Sequence, residues 1–223
     1  LSICPSTYCN ADCVMCLHGK EPRRDLPEEF WDELPRLLPT LHTLTFLGGE
    51  PLANPRVWTF LRDLDVERYP DVSLDLITNG GLLSETALDQ VRRAAIGGVT
   101  ISLNAGTAEA YERVQRVLEF DQILANLDAL IRFRDTHPRW FGITLSFVVQ
   151  PLNAQTLVEF GEIAHRRDLH IRLLPLSVPP GLAELDFYGS PDTVAQVVAQ
   201  LDRFRAWVDT VRPEWRAEIE ATR

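Results

Sequence analysis

The sequence predicts an α/β protein organised around a mostly parallel sheet. Three observations carry that expectation. Short apolar runs alternate with helical patterns from end to end, the helical stretches keep an i, i+3, i+4, i+7 apolar spacing, and turn-forming residues fall between them. Strict β–α alternation needs right-handed crossovers, which lay successive strands parallel. Six such pairs can be traced, two short of the eight that close a full barrel.

The first apolar run is Leu1–Cys4, followed by a cysteine-bearing stretch. Thr43–Leu47 reads as the second strand, and Asn54-Pro55 supplies an N-cap and a first-turn proline for the helix behind it. Val72–Ile77 and Val99–Leu103 read as strands three and four. Phe120, Ile123, Leu124, Leu127, Leu130 and Ile131 mark one face of the next helix. Ile143–Val149 is the fifth strand, with Asn153 expected to cap its helix, and Ile171–Leu174 is the sixth. Ser177–Ser190, with Pro179-Pro180-Gly181, reads as a long loop over one end of the sheet. Ser190-Pro191 then opens a helix along which Val194, Val197, Val198, Leu201, Phe204 and Val208 keep the same apolar spacing. No repeat, low-complexity tract or linker interrupts the pattern, so residues 1–223 are expected to form a single domain. Leu1 in place of Met and the charged segment Pro213–Arg223 point to trimming at one or both ends.

Composition narrows the function classes. At 25.3 kDa the chain can bury a substantial core, and 45% hydrophobic with 24% charged residues is the balance of a soluble globular protein. A net charge of −10 without a basic run argues against a nucleic-acid partner. No stretch approaches the roughly 20 apolar residues of a membrane span, and no signal-peptide core opens the chain. Reduced cysteines then point to the cytoplasm.

All four cysteines lie within the first sixteen positions, which argues against a disulfide framework stapling distant segments. Cys9, Cys13 and Cys16 are spaced Cys-x3-Cys-x2-Cys, and three thiolates suit three irons of a four-iron cluster, leaving the fourth iron open. The alternative is structural zinc with Cys4 or His18 as fourth ligand, although no second Cys-x2-Cys knuckle is present. Ferredoxin clusters want four thiolates at other spacings. Cys4 itself reads as a small buried packing residue, as a fourth ligand, or as a thiol projecting into the mouth of the sheet to return a hydrogen atom to a substrate radical.

Three further motifs follow strands, where the active sites of such folds lie. Gly48-Gly49-Glu50-Pro51 offers backbone that can approach a ligand closely and a carboxylate for an ammonium group. Thr78-Asn79-Gly80-Gly81 is on its own an ordinary turn. Ser102 and Asn104 fall on one face of strand four, with Thr107, Tyr111, Gln115 and Arg116 beyond.

Together, the Cys-x3-Cys-x2-Cys loop with Asn10 after its first cysteine, the Gly-Gly-Glu-Pro turn one β–α unit later and the Thr-Asn-Gly turn after it resemble the radical S-adenosylmethionine (radical SAM) enzymes. The resemblance implies an open (β/α)6 partial TIM barrel with a curved parallel sheet. It implies a 4Fe–4S cluster on Cys9, Cys13 and Cys16, and SAM bound by Gly48, Gly49, Glu50, Pro51, Thr78, Asn79, Ser102 and Asn104. Met15 would meet the adenine through its backbone. Val149 and Leu174 would press on the adenine or else pack in the core. Two positions depart from the family pattern: Asn104 stands where an Asp is usual, and Gln115 where an Arg is frequent, with Arg116 next door as a candidate for the cofactor's carboxylate. The implied reaction is reductive cleavage of SAM to a 5′-deoxyadenosyl radical that takes a hydrogen atom from a peptide or small metabolite. An external flavodoxin or ferredoxin would supply the electron. No cysteine follows Cys16 to bind auxiliary clusters. Two other readings stay open: an activase that installs a glycyl radical on a partner enzyme, and a non-catalytic iron–sulfur or zinc protein with Cys4 as fourth ligand.

Overall fold

The computed structural model describes residues 1–16, 22–176 and 189–222. His18 and most of the expected loop Ser177–Ser190 lie outside the described residues. The strands are β1 (Ser2–Ile3), β2 (Asp12–Cys13), β3 (Thr43–Phe46), β4 (Ser73–Thr78), β5 (Ile96–Ser102), β6 (Gln115–Arg116), β7 (Gly142–Val149) and β8 (His170–Pro175). The helices are α1 (Glu28–Leu37), α2 (Pro55–Asp63), α3 (Glu85–Asp89), α4 (Ala108–Val114), α5 (Phe120–Thr136), α6 (Leu157–Arg166), α7 (Pro191–Val211) and α8 (Arg216–Glu220).

Six strands form one sheet in the order β1-β3-β4-β5-β7-β8, and every neighbouring pair is parallel. Chain order and spatial order coincide, as simple β–α succession requires. The expected strands are all present, with edges shifted by a residue or two in most cases. The fourth begins three residues early, because Gly97-Gly98 carries no apolar side chain to advertise it. A ribbon that the apolar pattern did not announce pairs β2 with β6 antiparallel, setting Cys13 opposite Gln115 and Asp12 opposite Arg116.

The period-2 alternation of the strands divides the sheet into two unlike faces. Leu44, Phe46, Leu74, Leu76, Val99, Ile101, Ile143, Leu145, Phe147, Ile171 and Leu173 are buried on the helix-covered side. The intervening Thr45, Ser73, Asp75, Thr100, Ser102 and Thr144 give the other face its polar character. Aromatic edges lock the covered side: Phe46 lies 5.6 Å from Phe60 and 6.0 Å from Trp31, and Phe147 packs on Phe160 at 4.9 Å.

Helix starts follow the sequence where a capping side chain is free to cap. Asn54 accepts from the Arg56 amide, and Ser190 from the Thr193 amide. Asn153 does not cap its helix. Its Oδ1 accepts from the Gln150 amide, and its Nδ2 donates to the Asn104 and Val148 carbonyls, so it clips two strand ends together instead.

Where α6 crosses α7, the rings of Phe204 and Trp207 stack at 5.7 Å and press on Gly161. A Cβ there would sit 2.6 Å from Phe204 Cε2 and 2.7 Å from Trp207 Cζ3. Gly161→Ala should gain about 1 kcal/mol of helix propensity. It should lose about 1–3 kcal/mol to overpacking. We therefore expect net destabilisation, seen as a lower urea midpoint with an unchanged m-value; a raised midpoint would refute the packing account.

Candidate active site

At the carboxyl ends of the strands lies a cavity of about 430 Å³, lined by Cys9, Cys13, Met15, Cys16, Gly48, Gly49, Glu50, Thr78, Asn79, Ser102, Asn104, Gln115 and Leu174 among others. Loops that are far apart in sequence meet here because each follows a neighbouring strand.

Glu50 stands at its base. The residue is fully buried, and three uncharged donors hold its carboxylate. Oε1 accepts from the Leu52 amide at 3.0 Å and from Thr78 Oγ1 at 2.7 Å; Oε2 accepts from the Asn79 amide at 2.8 Å. A carboxylate has about four acceptor positions, so Oε2 keeps one. Burial raises the Glu50 carboxyl above its ordinary value, and the three hydrogen bonds pull it back only in part. The Gly-Gly before it has a different role from the expected approach to a ligand alone. A Cβ on Gly49 would fall 2.1 Å from the Tyr8 carbonyl oxygen, and one on Gly48, whose φ is +122°, would strike the Cys4 thiol. The glycines let the turn press against the chain leading to Cys9, where Gly49 and Glu50 amides donate to the Ser6 and Tyr8 carbonyls.

Asn79 joins this turn to the cysteine loop. Its Nδ2 donates to Asn10 Oδ1 at 2.7 Å and lies 3.7 Å from Cys9 Sγ, while its Oδ1 accepts from the Gly81 amide. The loop is steadied on its far side by β6 and by the Val14 amide donating to the Val114 carbonyl. Burial first, then the charges of Cys9 and Cys16, push the Cys13 thiol up to about 12. Burial also raises Cys9, with an opposing hydrogen bond from the Ala11 amide and a further upward push from Glu50. Thiols this close ionise together only beside a compensating positive charge, which is what bound irons provide. Among the described residues no three His, Cys, Asp or Glu side chains converge on a single-ion site.

Asn104 adopts φ +29°, a conformation asparagine tolerates, and its Oδ1 accepts from the Val148 amide at 2.8 Å. Its turn is braced by Asn153 and by Thr156, whose Oγ1 accepts from the Gly106 amide. Several expected site residues lie outside the lining. Pro51 is buried in the turn after Glu50, and Val149 is 2% exposed in the core while Val148 faces the cavity. Arg116 projects outward, 59% exposed and 3.9 Å from Asp12. Cys4 is exposed rather than buried, which overturns its reading as a packing residue; its thiol donates to the Ser6 carbonyl at 3.3 Å against Gly48. Sequence reasoning passed over Gln150 and Val148, and it noted Gln115 only as a departure from the family pattern, not as part of the cavity wall. Gln150 is fully buried with its Nε2 3.7 Å from Met15 Sδ.

An open β/α sheet with a thiol loop and a buried carboxylate over its strand ends defines an enzyme of the cluster-binding partial-barrel class. A family model for the radical SAM superfamily matches residues 3–160, and the chain belongs to that superfamily. Its enzymes use a 4Fe–4S cluster and SAM, and the donor set described above fits both. Among curated relatives, GTP 3',8-cyclase of Chlorobaculum tepidum is 26% identical over 180 residues, covering 78% of this chain and 52% of the relative. AdoMet-dependent heme synthase of Methanosarcina barkeri is 24% identical over 225 residues, covering 96% of this chain and 58% of the relative. The chain thus spans little more than half the length of these relatives. SuiB of Streptococcus suis bound to S-adenosylmethionine superposes with a TM-score of 0.71 at 14% identity, over 95% of this chain and 48% of that one. Methylornithine synthase (PylB) does so with a TM-score of 0.61 at 16% identity, over 91% of this chain and 62% of that one. These likenesses show the shared partial-barrel fold.

Glu50 sets a pH signature. Its native value lies above the ordinary 4.5, so between the two the native state holds more protons than the unfolded chain. Stability from this group therefore falls as pH rises through that window and is level outside it. Against Glu50→Gln, the cluster-free wild type should lose stability as pH climbs from 4.5 through the raised value, in urea melts at stepped pH. A pH-independent difference would show that the carboxyl is not perturbed.

Proposed function

We propose that this chain is the SAM-cleaving core of a radical enzyme. Its cluster is held by Cys9, Cys13 and Cys16, and its cofactor lies over Glu50, Asn79, Ser102 and Asn104. One observation carries the reading: the three thiols and a buried carboxylate with only uncharged partners line the same cavity. A charged group kept out of water without a counter-charge is costly, and a ligand's ammonium would supply one. When bound, the cluster and SAM supply an electron and a 5′-deoxyadenosyl radical for hydrogen abstraction. The protein's share is to hold the ligating thiolates, orient the cofactor's amino group on Glu50 Oε2, offer Ser102 and Asn104 to its polar edge, and exclude water.

The substrate is a peptide or a small metabolite. The two relatives are named for nucleotide and haem chemistry, and another solved structure of SuiB holds its precursor peptide SuiA. The described part of the cavity sets the apolar Ile77, Val148, Leu174 and Pro175 beside the polar groups. An external flavodoxin- or ferredoxin-type donor fits a chain with three cluster thiols in one loop. Four free cysteines are consistent with a reducing cytoplasm, and among the described residues no helix is long and apolar enough to cross a membrane.

Anaerobic reconstitution tests the ligand set. Cys9→Ala, Cys13→Ala and Cys16→Ala should each lose the cluster's absorbance and its EPR signal on reduction, whereas Cys4→Ala should keep both. Loss in Cys4→Ala with retention in Cys13→Ala would transfer the ligand role. Glu50→Ala should weaken SAM binding by about 1.5–3 kcal/mol, measured by calorimetry on the loaded protein. Unchanged affinity would remove Glu50 from the cofactor site.

A further inference from the structure

Gln115 is a buried polar side chain in the cavity wall that the reading above leaves unused. It is 1% exposed, opposes Cys13 directly in the β2–β6 ribbon, and lines the cavity. Its Oε1 is buried without a hydrogen-bond partner. A buried amide oxygen left without a donor is costly, so a donor belongs beside it.

The chemistry of its neighbour decides which end of the amide points where. The two ends are nearly identical in shape, and only the hydrogen-bond network distinguishes them. A ligating thiolate accepts hydrogen bonds and has none to give, so Cys13 Sγ takes the Nε2 end. The two side chains meet because Gln115 stands directly opposite Cys13 in the ribbon and both line the cavity. That leaves Oε1, in a residue of the cavity wall, as a pure acceptor without a partner. It has nothing to offer a carboxylate, and it suits an N–H or O–H of the ligand.

Resting on the cluster assignment proposed above, we propose that Gln115 is a two-ended positioning residue. Its Nε2 donates to the sulfur of Cys13 on the cluster, and its Oε1 accepts from an amino or hydroxyl group of SAM. The ribbon then couples the two ligands through a single side chain. Removing the donor end should lower the cluster's reduction potential, since hydrogen bonds to sulfur stabilise the more negative reduced state. Removing the acceptor end should weaken SAM.

Two variants separate the ends. Gln115→Met fills a similar volume with neither group, and Gln115→Glu keeps acceptor oxygens but loses the N–H. Both are reconstituted anaerobically, with iron and sulfide content, circular dichroism and thermal melts recording loading and folding. Potentials come from EPR-monitored redox titration without SAM, and affinities from calorimetry. Gln115→Met should load three-cysteine cluster normally, shift the potential downward and weaken SAM by about tenfold. Gln115→Glu should shift the potential downward while holding SAM affinity within about threefold. A decarboxylated SAM analogue should lose the same factor in Gln115→Met as SAM does. If that loss disappears with the analogue, the amide is holding the carboxylate through Nε2 and the proposal is overturned. Unchanged potential and affinity in a folded, loaded Gln115→Met also overturns it. A wild type that fails to load any cluster would instead refute the cluster assignment and this inference with it.

Discussion

The buried carboxylate of Glu50 is the constraint on which the site depends. It lies at the end of β3, yet its donors come from the turn after it and from Thr78 and Asn79 at the end of β4. A desolvated carboxylate is tolerable only where donors are fixed in place, so the ends of two neighbouring strands are obliged to stay in register. Asn79 extends the obligation to the cysteine loop through Asn10 and Cys9. The chain before Cys9 is pinned to the same turn by the Gly49 and Glu50 amides. One charge thus organises three segments separated by tens of residues, and it keeps a free acceptor position towards the cavity.

The opposite wall uses neutral amides for a similar purpose. Asn104 reaches from the end of β5 to the Val148 amide, and Asn153 returns from beyond β7 to the Asn104 and Val148 carbonyls. Thr156 completes the brace by accepting from the Gly106 amide and donating to the Asn153 carbonyl. These contacts join uncharged groups, so the cost of burial is low. Among the described residues this wall carries no charge, and the ionic demand made on a ligand comes from the Glu50 side.

Much of this was legible in the sequence, and for physical reasons. Apolar strand runs and helical periodicity report burial on one side of an element, so the six strands and the long helices α5 and α7 were readable with small boundary shifts. Cys9, Cys13, Cys16, Glu50, Thr78, Asn79, Ser102 and Asn104 stand in short motifs directly after strands, and all line the one cavity. What failed to show was whatever depends on orientation or on distant partners. Val149 and Val148 are equally apolar, and only the pleat decides that Val148 faces the cavity. Asn153 looks like an N-cap until its side chain is seen reaching back to strand ends. Cys4, small and apolar in type, sits exposed just past the two-residue strand β1, its thiol on the Ser6 carbonyl. The β2–β6 ribbon is too short to leave any periodic signal. The departure at Gln115 was visible, but its meaning needed Cys13 across the ribbon.

The two departures from the family pattern make sense together. The resemblance places an Asp at position 104 and an Arg at position 115, and this chain has Asn and Gln. Their joint replacement leaves net charge unaltered and puts hydrogen-bonding amides at both positions, isosteric at 104 and shorter than an arginine at 115. Asn104 keeps the acceptor that an aspartate would offer the Val148 amide. Gln115 keeps a donor for Cys13 but gives up the guanidinium's hold on a carboxylate, which the outward-facing Arg116 does not restore. The paired loss of charge therefore shifts recognition on this wall from ion pairing to directional hydrogen bonds. Such contacts are weaker individually, less sensitive to salt, and more exacting about which polar atoms the bound molecule presents.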